Sequence, residues 1–503
     1  MTKSADPADK QSYRQILKST SVVGGASIIN VAFSILRNKA LATMLGPEGI
    51  GIIALYNSIV DMSQAIVGLG INASGVRQIA AAAAEDDTKR VSRVVTVLHV
   101  SSLILGSIGS SILMVFSSEI AQITFGDHQN TTGVMIVALA VGFQVLTGAH
   151  AAHLQGTRNI AALALMGILA GFFGLVIGVP LILLLGEHGI APSLAGTALV
   201  NFLTAWWLGR RISVSRSSIS ITQALHESGD LIKLGLVFMA SGFLTWGSAY
   251  AIRLIVASEG GLHAAGLYQA AWALGGLYAS FILQAMGTDF YPRLTAISKD
   301  DDECNRLVNE QTEVSILLAG PGLISTLTLA PAVMALFYST EFQGAVDILR
   351  WICLGMMLRI ISWPIGFIVL AKGAKAVFFW SDVAAAAVHV GLAWLCVPVF
   401  GAAGAGFAFF GLYVWHTVLI YCVARRLTNF RWSPANWKLT SAYLPISVFV
   451  FCSFEFLPLW QATGLGLTIA AAVGLFSLKT LANLLPQEAF PRMIRPLLNM
   501  RRV

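Results

Sequence analysis

Four polar residues in the first apolar run, Ser27, Asn30, Ser34 and Arg37, recur every three or four positions. That spacing puts them on one stripe of a helix. An embedded guanidinium stays charged and grips two phosphate oxygens with parallel N–H donors, so the stripe can hold an anion. Arg253 takes the corresponding place in a later apolar run, and two such arginines could converge on one anion. Lys39 lies two residues beyond Arg37 and can instead reach the outer headgroups. Arg350 and Arg359 are nine residues apart, half a helical turn out of phase, so a straight helix cannot turn both toward one cavity. Asp347 precedes Arg350 by three residues and can pair with it. The predicted anion-binding set is Arg37, Arg253, Lys39, Asn30 and Arg359.

Asp61 is the sharpest acidic candidate. Its span, Gly51–Gly70, is about 30 Å long as a helix, so the carboxyl falls near the bilayer midplane. Asn57 and Gln64 share its face. A buried carboxyl that can exchange a proton is the predicted ion-coupling group, the bland reading being a structural pair with a basic residue of span one or seven. His150 and His153, with Gln155, read as a polar cavity face; no third ligand is evident and no metal site is expected. His389 and His416 read as hydrogen-bonding between helices. The run Asp300-Asp301-Asp302-Glu303 reads as a solvated loop, and the absence of a GxxxxGK[ST] motif leaves direct ATP use unsupported. No cofactor is expected.

The elements that must carry these residues are membrane spans. The chain has 503 residues, a mean hydropathy of +0.74 and 11% charged residues, whereas a soluble chain carries about a quarter. Spans start roughly at Ser19, Gly51, Val91, Thr132, Ala161, Ile190, Leu231, Ala264, Thr312, Val346, Ala374, Ala403, Ala442 and Leu465, about fourteen in all. The fold class is therefore an all-α polytopic membrane protein. Counting gaps from the N-terminus, the odd ones contain no Lys or Arg, while the even ones carry Arg77, Lys89, Arg90 and Arg93, and so on to Arg425, Arg426, Arg431 and Lys438. Basic residues in short loops stay cytoplasmic, so both termini are predicted to be cytoplasmic. The net charge of +7 restates this bias and gives no reason to invoke nucleic acid.

Landmarks recur at a displacement of about 216 residues, the length expected of a six-span unit used twice. Arg37 matches Arg253, Gly51 matches Gly266, and Gly70 with Arg77 matches Gly287 with Arg293. Leu154–Arg158 loosely matches Leu370–Lys375, Pro180 matches Pro398, and Arg210-Arg211 matches Arg425-Arg426. An even number of spans gives both copies the same orientation, as two pseudo-symmetric six-helix bundles around a central cavity. The predicted division is a cytoplasmic segment 1–18, a first lobe 19–211, a linker 212–228, a second lobe 229–427, two extra spans in 428–482 and a basic tail 483–503.

The segments Ser21–Arg37, Ala42–Gly51 with its LGPEGIG turn, and Gly68-Leu69-Gly70-Ile71 before Arg77 resemble the N-terminal part of bacterial oligosaccharide flippases of the O-antigen and exopolysaccharide (Wzx) type. Those belong to the multidrug/oligosaccharidyl-lipid/polysaccharide exporter superfamily. The resemblance implies two six-helix lobes around a cationic cavity, in the inner membrane of a Gram-negative bacterium. It implies movement of an undecaprenyl-diphosphate-linked oligosaccharide to the outer leaflet, coupled to an ion gradient, with membrane lipids, a polysaccharide polymerase and chain-length proteins as further partners. A peptidoglycan-precursor (lipid II) flippase and a multidrug cation antiporter are the rivals within the superfamily. The first would bring that family's N-terminal segment, which is not seen, and the second favours an acidic cavity. A membrane enzyme such as a polymerase needs a large external loop, and the external loops here are short, so the protein is not read as an enzyme.

Overall fold

The computed structural model describes residues 7–211, 221–285 and 290–484, with side chains from Ile29 onward except at 221–228, 230, 234, 237, 278–285, 292 and 484. The side chain of Ser27, most of the 212–228 linker, Gly287 and the tail beyond 484 lie outside the described residues. Among the described residues the secondary structure is helical, without a strand. The helices are α1 (Pro7–Val67), α2 (Ile71–Ala84), α3 (Thr88–Val115), α4 (Ser117–Phe125), α5 (Thr131–Gly156), α6 (Ile160–Leu185), α7 (Ile190–Arg210) and α8 (Ile221–Ala285). After them come α9 (Tyr291–Ala296), α10 (Asp301–Thr328), α11 (Ala330–Phe337), α12 (Val346–Ala371), α13 (Lys375–Phe400), α14 (Ala403–Thr428), α15 (Pro434–Phe456) and α16 (Leu459–Leu484).

Two of these helices are far longer than a bilayer is thick. At 61 and 65 residues, α1 and α8 would each run about 90–100 Å if straight, three times the hydrocarbon thickness. Each is broken by one glycine in a conformation closed to L side chains: Gly46 (φ 62°, ψ −169°) and Gly261 (φ 70°, ψ −175°). Each therefore supplies two spans. With α3, α5, α6, α7, α10, α12, α13, α14, α15 and α16 they make the polytopic bundle of about fourteen transmembrane helices that the hydropathy pattern requires. The α10–α11 pair bends by 82°.

The glycine breaks also mark the repeat. Gly46 and Gly261, Arg158 (φ 56°) and Gly373 (φ 67°), and Gly186 and Gly401 (both φ 59°) stand at a common displacement of about 215 residues. The 26-residue helices α5 and α6 recur as the 26-residue α12 and α13. This register refines two of the sequence landmarks. Pro398 falls nearly a turn later in α13 than Pro180 does in α6, and Arg253 is one residue closer to its glycine break than Arg37 is, so that Asn38 is the positional equivalent of Arg253.

The chain forms two compact units. One comprises Met1–Gly266 with Phe337–Ser339, the other Leu267–Leu336 with Thr340–Val503. The first buries Ile71, Ile79, Val94, Leu98 and Leu231, and the second buries Phe290, Leu294, Val308, Ile365 and Phe430. Large apolar side chains elsewhere point outward, Leu184 at 79% and Phe456 at 84% exposure. Lipid tails are the medium that covers such surfaces at no cost. Cys304 is buried in the first turn of α10, its thiol donating to the Ile297 carbonyl.

Candidate functional site

In the first unit, the polar stripe of α1 lies against α6, and glycines make room for it. A Cβ on Gly171 would stand 2.5 Å from Asn30 Oδ1, and one on Gly174 would stand 3.1 Å from Arg37 Nη1. Phe33 closes the interval between them edge-on to Phe172, with ring centroids 5.8 Å apart. Arg37 Nε is buried without a hydrogen-bond acceptor, and no carboxylate pairs with Arg37 among the described residues. Tyr338 completes its surroundings, near enough to act on its charge and hydrogen-bonded to the Asn38 side chain. Lys39 is half-buried on the same helix, where its carbonyl accepts from Thr43 Oγ1 at 3.0 Å.

Asp61 and Arg253 come together in this unit. The arm of α1 after Gly46 and the arm of α8 before Gly261 run antiparallel in backbone contact. A Cβ on Gly51 would stand 3.0 Å from the Leu262 carbonyl carbon, one on Gly70 would stand 2.9 Å from the Gly235 carbonyl carbon, and Ala65 lies at 3.7 Å from the Cβ position of Gly242. Interpolating between these contacts sets Asp61 opposite about residues 246–250. Arg253 folds back to that level, donating from Nη1 to the Ala249 carbonyl at 3.3 Å, the direction in which helical side chains lean. Its charge is the one that acts on the Asp61 carboxylate. The glycines at both ends of the crossing are what let the two helices approach closely enough for this.

The second unit separates its two arginines. Arg350, near the start of α12, pairs with Asp347 at 3.4 Å and lies 3.8 Å over the Phe454 ring. Arg359, at the middle of α12, lies over Trp363 (4.4 Å) and beside Tyr413 (5.7 Å), with Nε buried and unpartnered. His389 and His416 face it. Neither makes the interhelical hydrogen bond expected of it: the buried His389 Nε2 and His416 Nδ1 have no partner.

Sequence reasoning missed one member of a third cluster. His99 of α3 meets His150 and His153 of α5, with ring centroids 4.1 and 5.9 Å apart. A histidine some fifty residues away leaves no periodic signal, and only the packing of α3 on α5 reveals it. Among the described residues no group of histidine, cysteine and carboxylate side chains is arranged to hold a metal ion. The Asp300–Glu303 run opens α10: Asp300 caps the helix by accepting from the Glu303 amide at 3.0 Å, and Asp301 meets Lys372.

The geometry therefore sets fixed cations and carboxyl groups, Asp61 and Asp382 among them, inside a bundle of about fourteen spans. The chain superposes on an inward-facing multidrug resistance MATE family transporter of the MOP superfamily with a TM-score of 0.67, at 15% identity, covering 83% of this chain and 96% of that one. It superposes on the lipid II flippase MurJ in an inward closed conformation with a TM-score of 0.65, at 13% identity, covering 93% and 99%. In sequence it is 22% identical over 400 residues to the lipid III flippase of Escherichia coli (strain K12), across 79% of this chain and 95% of that protein. The profile of the polysaccharide biosynthesis proteins matches residues 40–347. The chain belongs to the polysaccharide biosynthesis protein family, built on the fold of the MOP-superfamily transporters.

Proposed function

We propose that the protein flips an undecaprenyl-diphosphate-linked oligosaccharide from the inner to the outer leaflet of the cell inner membrane by alternating access. In this reading two lobes, 19–211 and 229–427, rock about a central cavity, the pair of spans in 428–482 flanks them, and both termini are cytoplasmic. The protein is a transporter, and a polymerase and chain-length proteins would take over its cargo. The observation that carries the reading is Arg37. It is a fixed positive charge inside a span, set against glycines and without a carboxylate partner. The likeness to a lipid III flippase across nearly all of that protein's length supports the cargo class.

The chemistry follows from charge. A diphosphate does not cross hydrocarbon unaided. Arg37 and Arg253 neutralise it, Asn30 and Lys39 add donors, and the lipid tail stays in the bilayer. With no cargo, Arg253 lies where its charge acts on Asp61. When phosphate oxygens take over Arg253, the Asp61 carboxylate loses its counter-charge and gains an anionic neighbour, so it takes up a proton. Anion and proton binding therefore reinforce each other.

The test is transbilayer movement of a fluorescent undecaprenyl-diphosphate oligosaccharide in proteoliposomes, with and without a pH gradient. Movement that responds to the gradient and fails in Arg37→Ala and Arg253→Ala is the expected result. Wild-type movement by both variants would overturn the binding role of the two arginines. Transport of an organic cation instead of the lipid would move the protein to the drug-antiporter branch.

A further inference from the structure

Arg359 sits halfway along the 26-residue helix α12, about 20 Å from its start and so near the midplane. Arg350 on the same helix has its carboxylate, Asp347; among the described residues Arg359 has none. Asp382, on the face of α13 that carries His389, makes no ion pair with it. A charge at this depth without a counter-ion is costly. The Trp363 face, 4.4 Å away, offsets only part of that cost. The surroundings leave the deficit open. Arg359 Nε, His389 Nε2 and His416 Nδ1 come from three helices, α12, α13 and α14, and all are buried without a hydrogen-bond partner. The Arg359 charge acts on both imidazoles. Aromatic rings link the three groups: the Tyr413 ring is 5.7 Å from the Arg359 guanidinium and 5.6 Å from His416, and Phe409 is 4.9 Å from Tyr413 and 5.8 Å from His389.

A cation would be repelled from this place, and a neutral ligand would leave the guanidinium uncompensated. A tetrahedral oxyanion answers every open valence. The Nε–H and Nη–H fork takes two of its oxygens, and an imidazole N–H from each histidine takes others. We propose that Arg359, His389 and His416 form a phosphate- or diphosphate-binding site inside the second unit, separate from the Arg37 stripe of the first. The anion is either the headgroup of a lipid diphosphate or a free inorganic phosphate. Only the first of these sources rests on the flippase reading; the site itself does not.

The experiment is equilibrium binding of labelled inorganic pyrophosphate to the purified full chain, in an Arg37→Ala background so that the first-unit stripe does not contribute. Saturable binding is expected, with Arg359→Gln weakening it roughly tenfold or more and Arg359→Lys giving an intermediate loss, because lysine keeps the charge without the fork. His389→Phe with His416→Phe should also weaken it while keeping the ring packing. Displacement by a short-chain prenyl diphosphate, but not by the matching prenol, assigns the site to a lipid headgroup; displacement by neither assigns it to a soluble anion. Absence of saturable binding, or unchanged binding in folded Arg359→Gln or Arg359→Lys protein, overturns the proposal. Pyrophosphate binding in this background, together with no lipid movement by the wild-type chain, would overturn the flippase reading and leave this site standing.

Discussion

Gly266→Ala is a demanding test of the α1–α8 crossing, because two effects of opposite sign compete in it. On helix propensity alone, alanine should stabilise by up to about 1 kcal/mol. At this position the new Cβ would stand 2.7 Å from the Pro47 carbonyl carbon and 3.0 Å from the Gly51 nitrogen, with the Pro47 oxygen closer still. Carbon atoms pack at about 3.5–4.0 Å, so the helices would have to part by roughly 1 Å. The obstructing atoms are backbone, which cannot swing aside as a side chain can. Overpacking of this kind costs about 1–3 kcal/mol, enough to exceed the propensity gain. The expected result is a lower thermal unfolding midpoint for Gly266→Ala, read by size-exclusion of heated, detergent-solubilised protein. Gly167→Ala is the control: it lies within α6 with nothing near its Cβ position, and it should match or exceed the wild-type midpoint. Gly51→Ala should behave like Gly266→Ala, and the double variant should cost less than the two singles together, since one parting of the helices relieves both. If Gly266→Ala unfolds no earlier than Gly167→Ala, the helices are not in backbone contact and the route by which Arg253 reaches Asp61 fails with it.

Other perturbations read other parts of the molecule. Asp61→Asn should bind the lipid diphosphate but move it without the accompanying proton, one charge more negative per cycle; its transport rate should then respond to membrane potential more steeply, by up to about 2.3 kcal/mol per 100 mV, and identical voltage dependence in the two proteins would refute the coupling. Asn309 donates to the Asn305 and Arg431 carbonyls at 2.8 and 3.0 Å and accepts from the Ser433 amide and the Asn436 side chain at 2.8 and 2.9 Å. Asn309→Ala removes all four bonds, leaves the fully buried Asn436 side chain only the Asn309 main-chain carbonyl as acceptor, and should destabilise the second unit by about 1–3 kcal/mol, measurable as faster proteolysis. Arg306 hydrogen-bonds Glu303 and holds that carboxyl below its usual 4.5. A depressed acid contributes stability above its ordinary value and loses it as pH falls through the lowered one. Amide exchange in the first turn of α10 should therefore be faster in Glu303→Gln than in wild type at neutral pH and equal in the two at strongly acid pH.

How much of this was legible depended on whether a feature is written along the chain or across it. Spans and the repeat are local patterns of hydropathy, and the breaks at Gly46 and Gly261 could be read as turns because two apolar runs abut there. The stripe of Asn30 and Arg37 was visible because a helix face has a period. What the stripe faces was not: Gly171 and Gly174 are two among 47 glycines, and nothing in α6 marks them as the partners of α1. Asp61 could be placed at the midplane by counting residues, but the choice between a proton site and a structural pair turned on which helix lies opposite. The structure brings Arg253 to that level, and the coupling role of Asp61 stays a proposal for the transport assay. His99 and the His389–Arg359–His416 group were missed for the same reason, since each joins helices that the sequence lists in order without saying which of them touch.

The charges that remain in the membrane are informative by what accompanies them. Arg350 has Asp347 and Asp61 has Arg253. Such pairs are internally balanced, and a bundle can hold them whatever it transports. Arg37 and Arg359 are different: each is a fixed cation inside a span with a buried, unanswered Nε–H. Replacing either with leucine would be neutral or favourable by stability alone, so neither is explained by the fold. One lies in each unit. A transporter of organic cations would gain nothing from an unpaired arginine, because its cargo would have to be drawn past a like charge. A transporter of a lipid diphosphate gains at two points, since the anion must be drawn out of the leaflet and then held while its position changes. The unpaired guanidinium therefore argues for an anionic cargo more directly than net charge does, and it predicts that Arg37→Leu and Arg359→Leu will each keep or raise thermal stability while impairing transport. A leucine variant that unfolds early would show instead that the arginine is part of the scaffold.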